Sequence, residues 1–284
     1  MIKVNTDCHG LPIVSVENNQ GSARISLLGA NVMDYTPYGM KPILWMSSRS
    51  CFEEGKAIRG GIPVCWPWLG AHPSNPVMPL QGFARLYLWS IIGGQELPDG
   101  SDEVTFQLTD RDIPFHYQPF LLRYTVAVGS KLTLKLEVTN TGAEMLAFNA
   151  ALHSYFSIND IFKISVTGLD GTRGFNSLTG DEYVQRGAIT FDDEYCRMFL
   201  EAESECFIND PIWGRRIRLA KSGSRSTVVW NPWNERAQNI PDMNDDDYRF
   251  MVCVEAANAR SDRRSLNSGA SHTLKAIIAA EPLK

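Results

Sequence analysis

Long apolar runs, paired cysteines and a surplus of basic charge are all missing from this 284-residue chain. No stretch of about 18 apolar residues occurs, so a membrane-spanning helix is not expected. The opening MIKVNTDCHGLPIVSVEN holds no apolar segment long enough for a signal peptide and the chain has no N-x-S/T sequon, so residence in the cytoplasm is the expectation. The six cysteines (Cys8, Cys51, Cys65, Cys196, Cys206, Cys253) form no C-x-x-C pair, which leaves neither a zinc site nor a redox dithiol signalled. They read as reduced thiols. Lys and Arg number 27 against 32 Asp and Glu, and a net charge of −5 argues against nucleic acid as the main partner. A local basic pocket for a small anion stays open. Neither a G-x-S-x-G elbow, nor a P-loop, nor a G-x-G-x-x-G fingerprint is found, which sets aside the common nucleophile and nucleotide schemes.

What is present is strand. Hydrophobic residues make up 44% of the chain and charged ones 21%, enough to bury a large core. LPIVSVEN and SARISLLGANVMDY flank the turn-rich NNQG, and EVTFQLTD, FLLRYTVAVG, LTLKLEVTNTG, MLAFNAALHSYF, FKISVTGL, RRIRLA, STVVWNP, RFMVCVEAA and HTLKAIIAA continue the series. In LTLKLEV the alternation puts Leu132, Leu134 and Leu136 on one face. Val128 to Lys131 reads as a tight hairpin, and no 12-residue amphipathic helix is evident. About a dozen strands without crossover helices imply an all-β protein, a large antiparallel β-sandwich. With no linker and no fixed-period repeat, residues 1–284 read as a single domain. The acidic PDMNDDDY (Pro241 to Tyr248) lacks the central glycine and distal glutamate of a calcium loop and reads as a solvated loop.

Three segments hold residues suited to chemistry. IRGGIPVCWPWLG (Ile58 to Gly70) sets Arg59 against two glycines and then two prolines and two tryptophans. Gly60 and Gly61 permit close approach of the backbone to another group, and Pro63 and Pro67 stiffen the rest of the loop. Arg59 could bind an anion or pair at the rim of a tryptophan-rich core, and Trp66 and Trp68 read as core rather than as walls of a pocket. His153 sits among apolar and aromatic residues in NAALHSYFSI, as a hydrogen-bonded core residue or as an acid/base group. Glu255 ends the apolar run FMVCVE, where a buried carboxylate needs a partner or a role, unless it reaches solvent. A carboxylate and an imidazole facing one small ligand move two protons in opposite directions without a cofactor.

AIRGGIPVCWPWLG, QGFARLYLW, ALHSYF and FMVCVEAAN, in this order, resemble the signature of the hexose-6-phosphate 1-epimerases of the aldose 1-epimerase, or galactose-mutarotase-like, superfamily. The resemblance covers nearly the whole chain, from LLGANVMDYTP and PILWMS onward. It implies a galactose-mutarotase-like supersandwich and an isomerase interconverting the anomers of an aldohexose 6-phosphate such as glucose 6-phosphate. It implies His153 as general acid, Glu255 as general base, and Arg59, Arg85 and Gln81 as substrate contacts. No metal or other cofactor is implied, and the expected partner is a small-molecule sugar phosphate, without nucleic acid or membrane, bound by a monomer. Charge pairing is expected to keep Glu255 ionised beside a protonated His153. Two positions depart from the family pattern: Gln81 stands where histidine is usual before GFAR, and Cys196 stands where aspartate precedes the arginine of FDDEYCRMF. A non-catalytic sugar-phosphate sensor on the same scaffold is the rival reading, and an epimerase for an unphosphorylated sugar is a third.

Overall fold

Two-residue alternation is what builds the sheets. In the computed structural model, which describes residues 1–203 and 205–283, Leu132, Leu134 and Leu136 are fully buried on one side of the strand Leu132–Asn140. Thr133, Lys135 and Glu137 alternate with them towards solvent. This strand lies within an eight-stranded sheet ordered Ser165–Thr167, Cys206–Asp210, Arg215–Ser222, Ser271–Pro282, Leu132–Asn140, Phe120–Val128, Asp102–Thr109, Ser90–Glu96. The hairpin expected at Val128 to Lys131 joins two of them, with Val128 opposite Leu132.

A second eight-stranded sheet runs Glu182–Val184, Arg173–Asn176, Tyr195–Leu200, Ser226–Asn231, Met251–Asn258, Ala150–Leu152, Val64–Cys65, and Tyr155–Ser157 also pairs with Met251–Asn258. Among the described residues the pairs between these strands are antiparallel, as a chain without crossover helices requires. Phe106, Leu134 and Ile278 from the first sheet share one core with Phe199, Val229, Val252 and Val254 from the second, so the two stack as a sandwich. A four-stranded sheet from Ile2–Thr6 to Asn31–Pro37 flanks them. Among the described residues the longest helix is Trp233–Gln238, and no helix is long and apolar enough to cross a membrane.

Strands without a clear sequence signature lie at sheet edges or are short. All seven residues of Ser90–Glu96 are exposed, so the segment has no buried face to print an alternation. Arg173–Asn176, Glu182–Val184 and Tyr195–Leu200 form one side of the second sheet, where Cys196 and Met198 face a cavity rather than a core.

Candidate active site

The strand Met251–Asn258 is buried along its whole length because both its faces are covered. Val252, Val254 and Ala256 enter the shared core, while Met251, Cys253, Glu255 and Ala257 point the other way. Register extends that second face sideways: Glu255 stands opposite Val228 and Val228 opposite Met198, while Cys253 stands opposite Trp230 and Trp230 opposite Cys196. A cavity of about 590 Å³ lies over this face, and Arg59, Gln81, Arg85, His153, Cys196 and Glu255 all line it.

His153 follows the strand Ala150–Leu152, and its backbone N–H donates to the Pro63 carbonyl at 3.1 Å. Two residues on, the Tyr155 N–H donates to the Gly61 carbonyl at 2.9 Å, and Val64 and Cys65 pair with Leu152 and Ala151. The glycine- and proline-rich segment is therefore laid along the histidine's own backbone. Gly60 (φ +112°) and Gly61 (φ +66°) serve that packing. A Cβ on them would come within 2.6 Å of the Trp45 carbonyl oxygen and 2.3 Å of the Val32 carbonyl oxygen. The glycines thus permit the close approach expected of them, and the group approached is neighbouring backbone. Trp66 and Trp68 are core residues: Trp66 is fully buried against Phe83, Phe120, Tyr117 and Phe148, and neither tryptophan lines the cavity.

His153 Nε2 lies 3.4 Å from Glu255 Oε1, and the two residues are 7% and 4% exposed. Tyr155 stacks on the imidazole at 4.7 Å between ring centres, and Trp230 meets it edge-on at 6.0 Å. Burial pushes the Glu255 carboxyl well above the usual carboxylate range, with Arg85 opposing that rise. Burial also pushes the His153 imidazole down to about 3, and the positive charges of Arg85 and Arg59 lower it further. The expectation of a charged pair is corrected here. Both shifts, with burial the largest cause of each, favour neutral imidazole beside protonated carboxyl.

Arg59 is held from two sides. Its Nη1 donates to the Tyr155 hydroxyl at 3.0 Å and its Nε to Asp242 Oδ1 at 3.1 Å. Among the described residues its Nη2 makes no hydrogen bond. Contact with Tyr155, then the charge of Asp242, raises the guanidinium's pKa against a desolvation that lowers it, so Arg59 stays cationic. Asp242 belongs to the acidic PDMNDDDY loop. That loop is only partly solvated, which corrects the expectation: Met243 is fully buried, and Ser47 Oγ and the Asn244 N–H donate to Asp247 Oδ2. Arg85 sits in the short turn Ala84–Leu86 and donates from Nη2 to the Leu80 carbonyl at 2.9 Å.

Gln81 adopts a left-handed backbone (φ +61°), a conformation that costs a non-glycine residue about 1–3 kcal/mol. Two reciprocal bonds hold it: its N–H donates to the Gly70 carbonyl at 2.7 Å, and its Oε1 accepts from the Gly70 N–H at 2.8 Å. The side-chain amide nitrogen remains to meet a ligand. Next to it Gly82 is obligatory, since a Cβ there would lie 2.0 Å from the Trp66 carbonyl oxygen. Cys196 lines the cavity half-buried, its thiol pKa raised by burial. Sequence reasoning misses Asp242, Tyr155 and Arg236. Asp242 sits in an ordinary acidic loop, and Arg236, on the exposed side of Trp233–Gln238, carries no motif. Tyr155 lies inside ALHSYF and is within reach of that motif.

A buried imidazole and carboxyl with two arginines around one cavity suit acid/base work on a polar, anionic small molecule, and the comparisons agree in kind. The family model described as aldose 1-epimerase matches residues 12–279. An Escherichia coli (strain K12) protein provisionally named glucose-6-phosphate 1-epimerase is 32% identical over 275 residues, covering 95% of this chain and 91% of the relative. A Cenchrus ciliaris protein with the same provisional name is 32% identical over 247 residues, covering 83% and 74%. The crystal structure of a Salmonella typhimurium protein, provisionally described as a mutarotase, superposes with a TM-score of 0.88 at 29% identity, covering 99% of this chain and 97% of that one. Sandwich, cavity and sequence match together make this chain a member of the aldose 1-epimerase family.

Proposed function

We propose that this chain, acting as one β-sandwich domain, interconverts the α and β anomers of an aldohexose 6-phosphate. The observation that carries the reading is the His153–Glu255 contact at 3.4 Å in a cavity also lined by Arg59 and Arg85. Glu255 accepts the proton of the C1 hydroxyl while His153 delivers a proton to the ring oxygen. The C1–O5 bond breaks, C1 rotates about the C1–C2 bond, and closure returns both protons. The pair needs one proton in total, which the short contact allows it to exchange internally. Substrate charge helps to place it: a phosphate dianion against Arg59 and Arg85 offsets the positive field that depresses the imidazolium. The phosphate hangs from C6, next to the C5 that bears the ring oxygen, so an anion site near the general acid suits a 6-phosphate. Guanidinium forks match phosphate by charge and geometry, and the aldose 1-epimerase family model and the provisional glucose-6-phosphate 1-epimerase names of the relatives support the same chemistry.

The departures at Gln81 and Cys196 favour a second reading, a sugar-phosphate sensor that binds without turnover. Anomer exchange measured by one-dimensional NMR on glucose 6-phosphate and on glucose, with and without protein, separates the readings. Faster exchange of the phosphate ester than of the free sugar is expected. Tight binding with no acceleration would establish the sensor, and equal acceleration of both sugars would remove the phosphate assignment.

A further inference from the structure

The acid/base step leaves one potential metal ligand beside the site unused. Cys253 lies two residues before Glu255 on the same face of its strand, with Tyr155 and Trp230 opposite it on either side. Its thiol is fully buried. One donor atom from each of His153, Cys253 and Glu255 lies within 4.8 Å of the other two. Imidazole, thiol and carboxyl converging on a common point are the donor types of a zinc site, three from protein with a fourth position open.

The spacing agrees with that chemistry. With bonds of about 2.0–2.1 Å to nitrogen, 2.0–2.2 Å to oxygen and 2.3 Å to sulfur, tetrahedral donors stand about 3.3–3.6 Å apart. His153 Nε2 and Glu255 Oε1 are already 3.4 Å apart. Closing the thiol side asks for movement of about 1 Å, within the reach of a side-chain adjustment. His153 and Glu255 line the cavity, so an ion held between them and the Cys253 thiol behind them is reached from the cavity, which also has room for a water or an anionic ligand.

We propose that His153, Cys253 and Glu255 form a reversible inhibitory site for a zinc-class divalent cation. Arg59 and Arg85 face the pair and oppose a bare cation, so binding requires thiolate and carboxylate together, whose two negative charges cancel those of the ion. Coordination therefore releases the thiol proton and the proton held by the His153–Glu255 pair. A hard ion such as magnesium, which prefers oxygen donors and holds its waters, does not fit. Occupancy takes both acid and base out of proton transfer. That consequence rests on the function proposed above, whereas the coordination does not.

Cobalt(II) is the probe, because a cobalt–thiolate bond absorbs in the near ultraviolet and tetrahedral cobalt absorbs in the visible. The reduced full-length protein is expected to show a saturable thiolate band that zinc displaces. Cys253→Ala should abolish the band, and Cys196→Ser, which removes the thiol that lines the cavity, should retain it. Should Cys253→Ala fold poorly by circular dichroism, Cys253→Ser gives the same contrast. In anomer exchange, zinc should inhibit the parent reversibly on addition of chelator, magnesium should not, and Cys253→Ala should keep its metal-free rate while needing at least about tenfold more zinc for inhibition. No saturable band in the parent, or an unchanged band in Cys253→Ala, overturns the proposal. A parent that shows the band but no anomer exchange overturns only the proposed function.

Discussion

Replacing Glu255 by glutamine removes the proposed base while leaving the shape of the site. The amide is nearly isosteric with the carboxyl, and the residue is 4% exposed on a strand paired on both sides, so no cavity opens. Under the proposed mechanism, what is lost is the group that accepts the C1 hydroxyl proton and holds the pair's proton between turnovers. Glutamine cannot take a proton, and His153, still buried and facing Arg59 and Arg85, stays neutral and cannot serve as acid and base at once. A positioned base is worth about 10²–10⁴ in rate, or about 2.7–5.4 kcal/mol of barrier. The variant should therefore slow anomer exchange at least about a hundredfold while binding glucose 6-phosphate within a few-fold of the parent, because the arginines are untouched. Exchange NMR gives the rate, calorimetry the affinity and a thermal melt the fold. The melting temperature should hold or rise, since an ionisable group with a burial penalty has been removed. A folded Glu255→Gln protein with a near-parental rate would refute the assignment, and so would a His153→Ala protein that exchanges normally.

Arg59→Ala and Arg85→Ala should each raise KM for the phosphorylated sugar by about ten- to a hundredfold, the worth of a hydrogen bond to a charged group, with little effect on residual turnover of free sugar; equal losses on both sugars would place the arginines elsewhere in the reaction. The His153 ring resonances in the ligand-free protein should remain those of neutral imidazole from pH 6.5 down to about pH 5, because its pKa is lowered to about 3. The corresponding stability contribution has a definite sign: between the unfolded value near 6.5 and the folded value near 3 the unfolded chain binds more protons, so this group destabilises the fold as pH falls through that window. A titration midpoint near 6.5 would contradict both statements. Cys196→Asp introduces a charged acceptor into the cavity wall and should tighten or redirect recognition among glucose, galactose and mannose 6-phosphates; an unchanged order of preference would show that Cys196 does not touch the sugar.

Local physics made the sheets legible from residues alone. Leu132, Leu134 and Leu136 announce a strand with one dry face, and the absence of long amphipathic segments leaves antiparallel stacking as the way to bury it. The ordered motifs around Arg59, Gln81, Arg85, His153 and Glu255 named the residues that line the cavity, because each motif is short and contiguous. Three-dimensional pairing decided the rest. That Asp242 anchors Arg59 depends on a contact between distant loops with no local signature. That Gly60 and Gly61 accommodate Trp45 and Val32, rather than a ligand, depends on which backbone passes them. The protonation of the His153–Glu255 pair is set by how completely the folded chain excludes water and by two arginines brought in from elsewhere. Alternation along a strand is a property of neighbours in sequence; desolvation and long-range charge are properties of neighbours in space, which exist only once the register between strands is fixed.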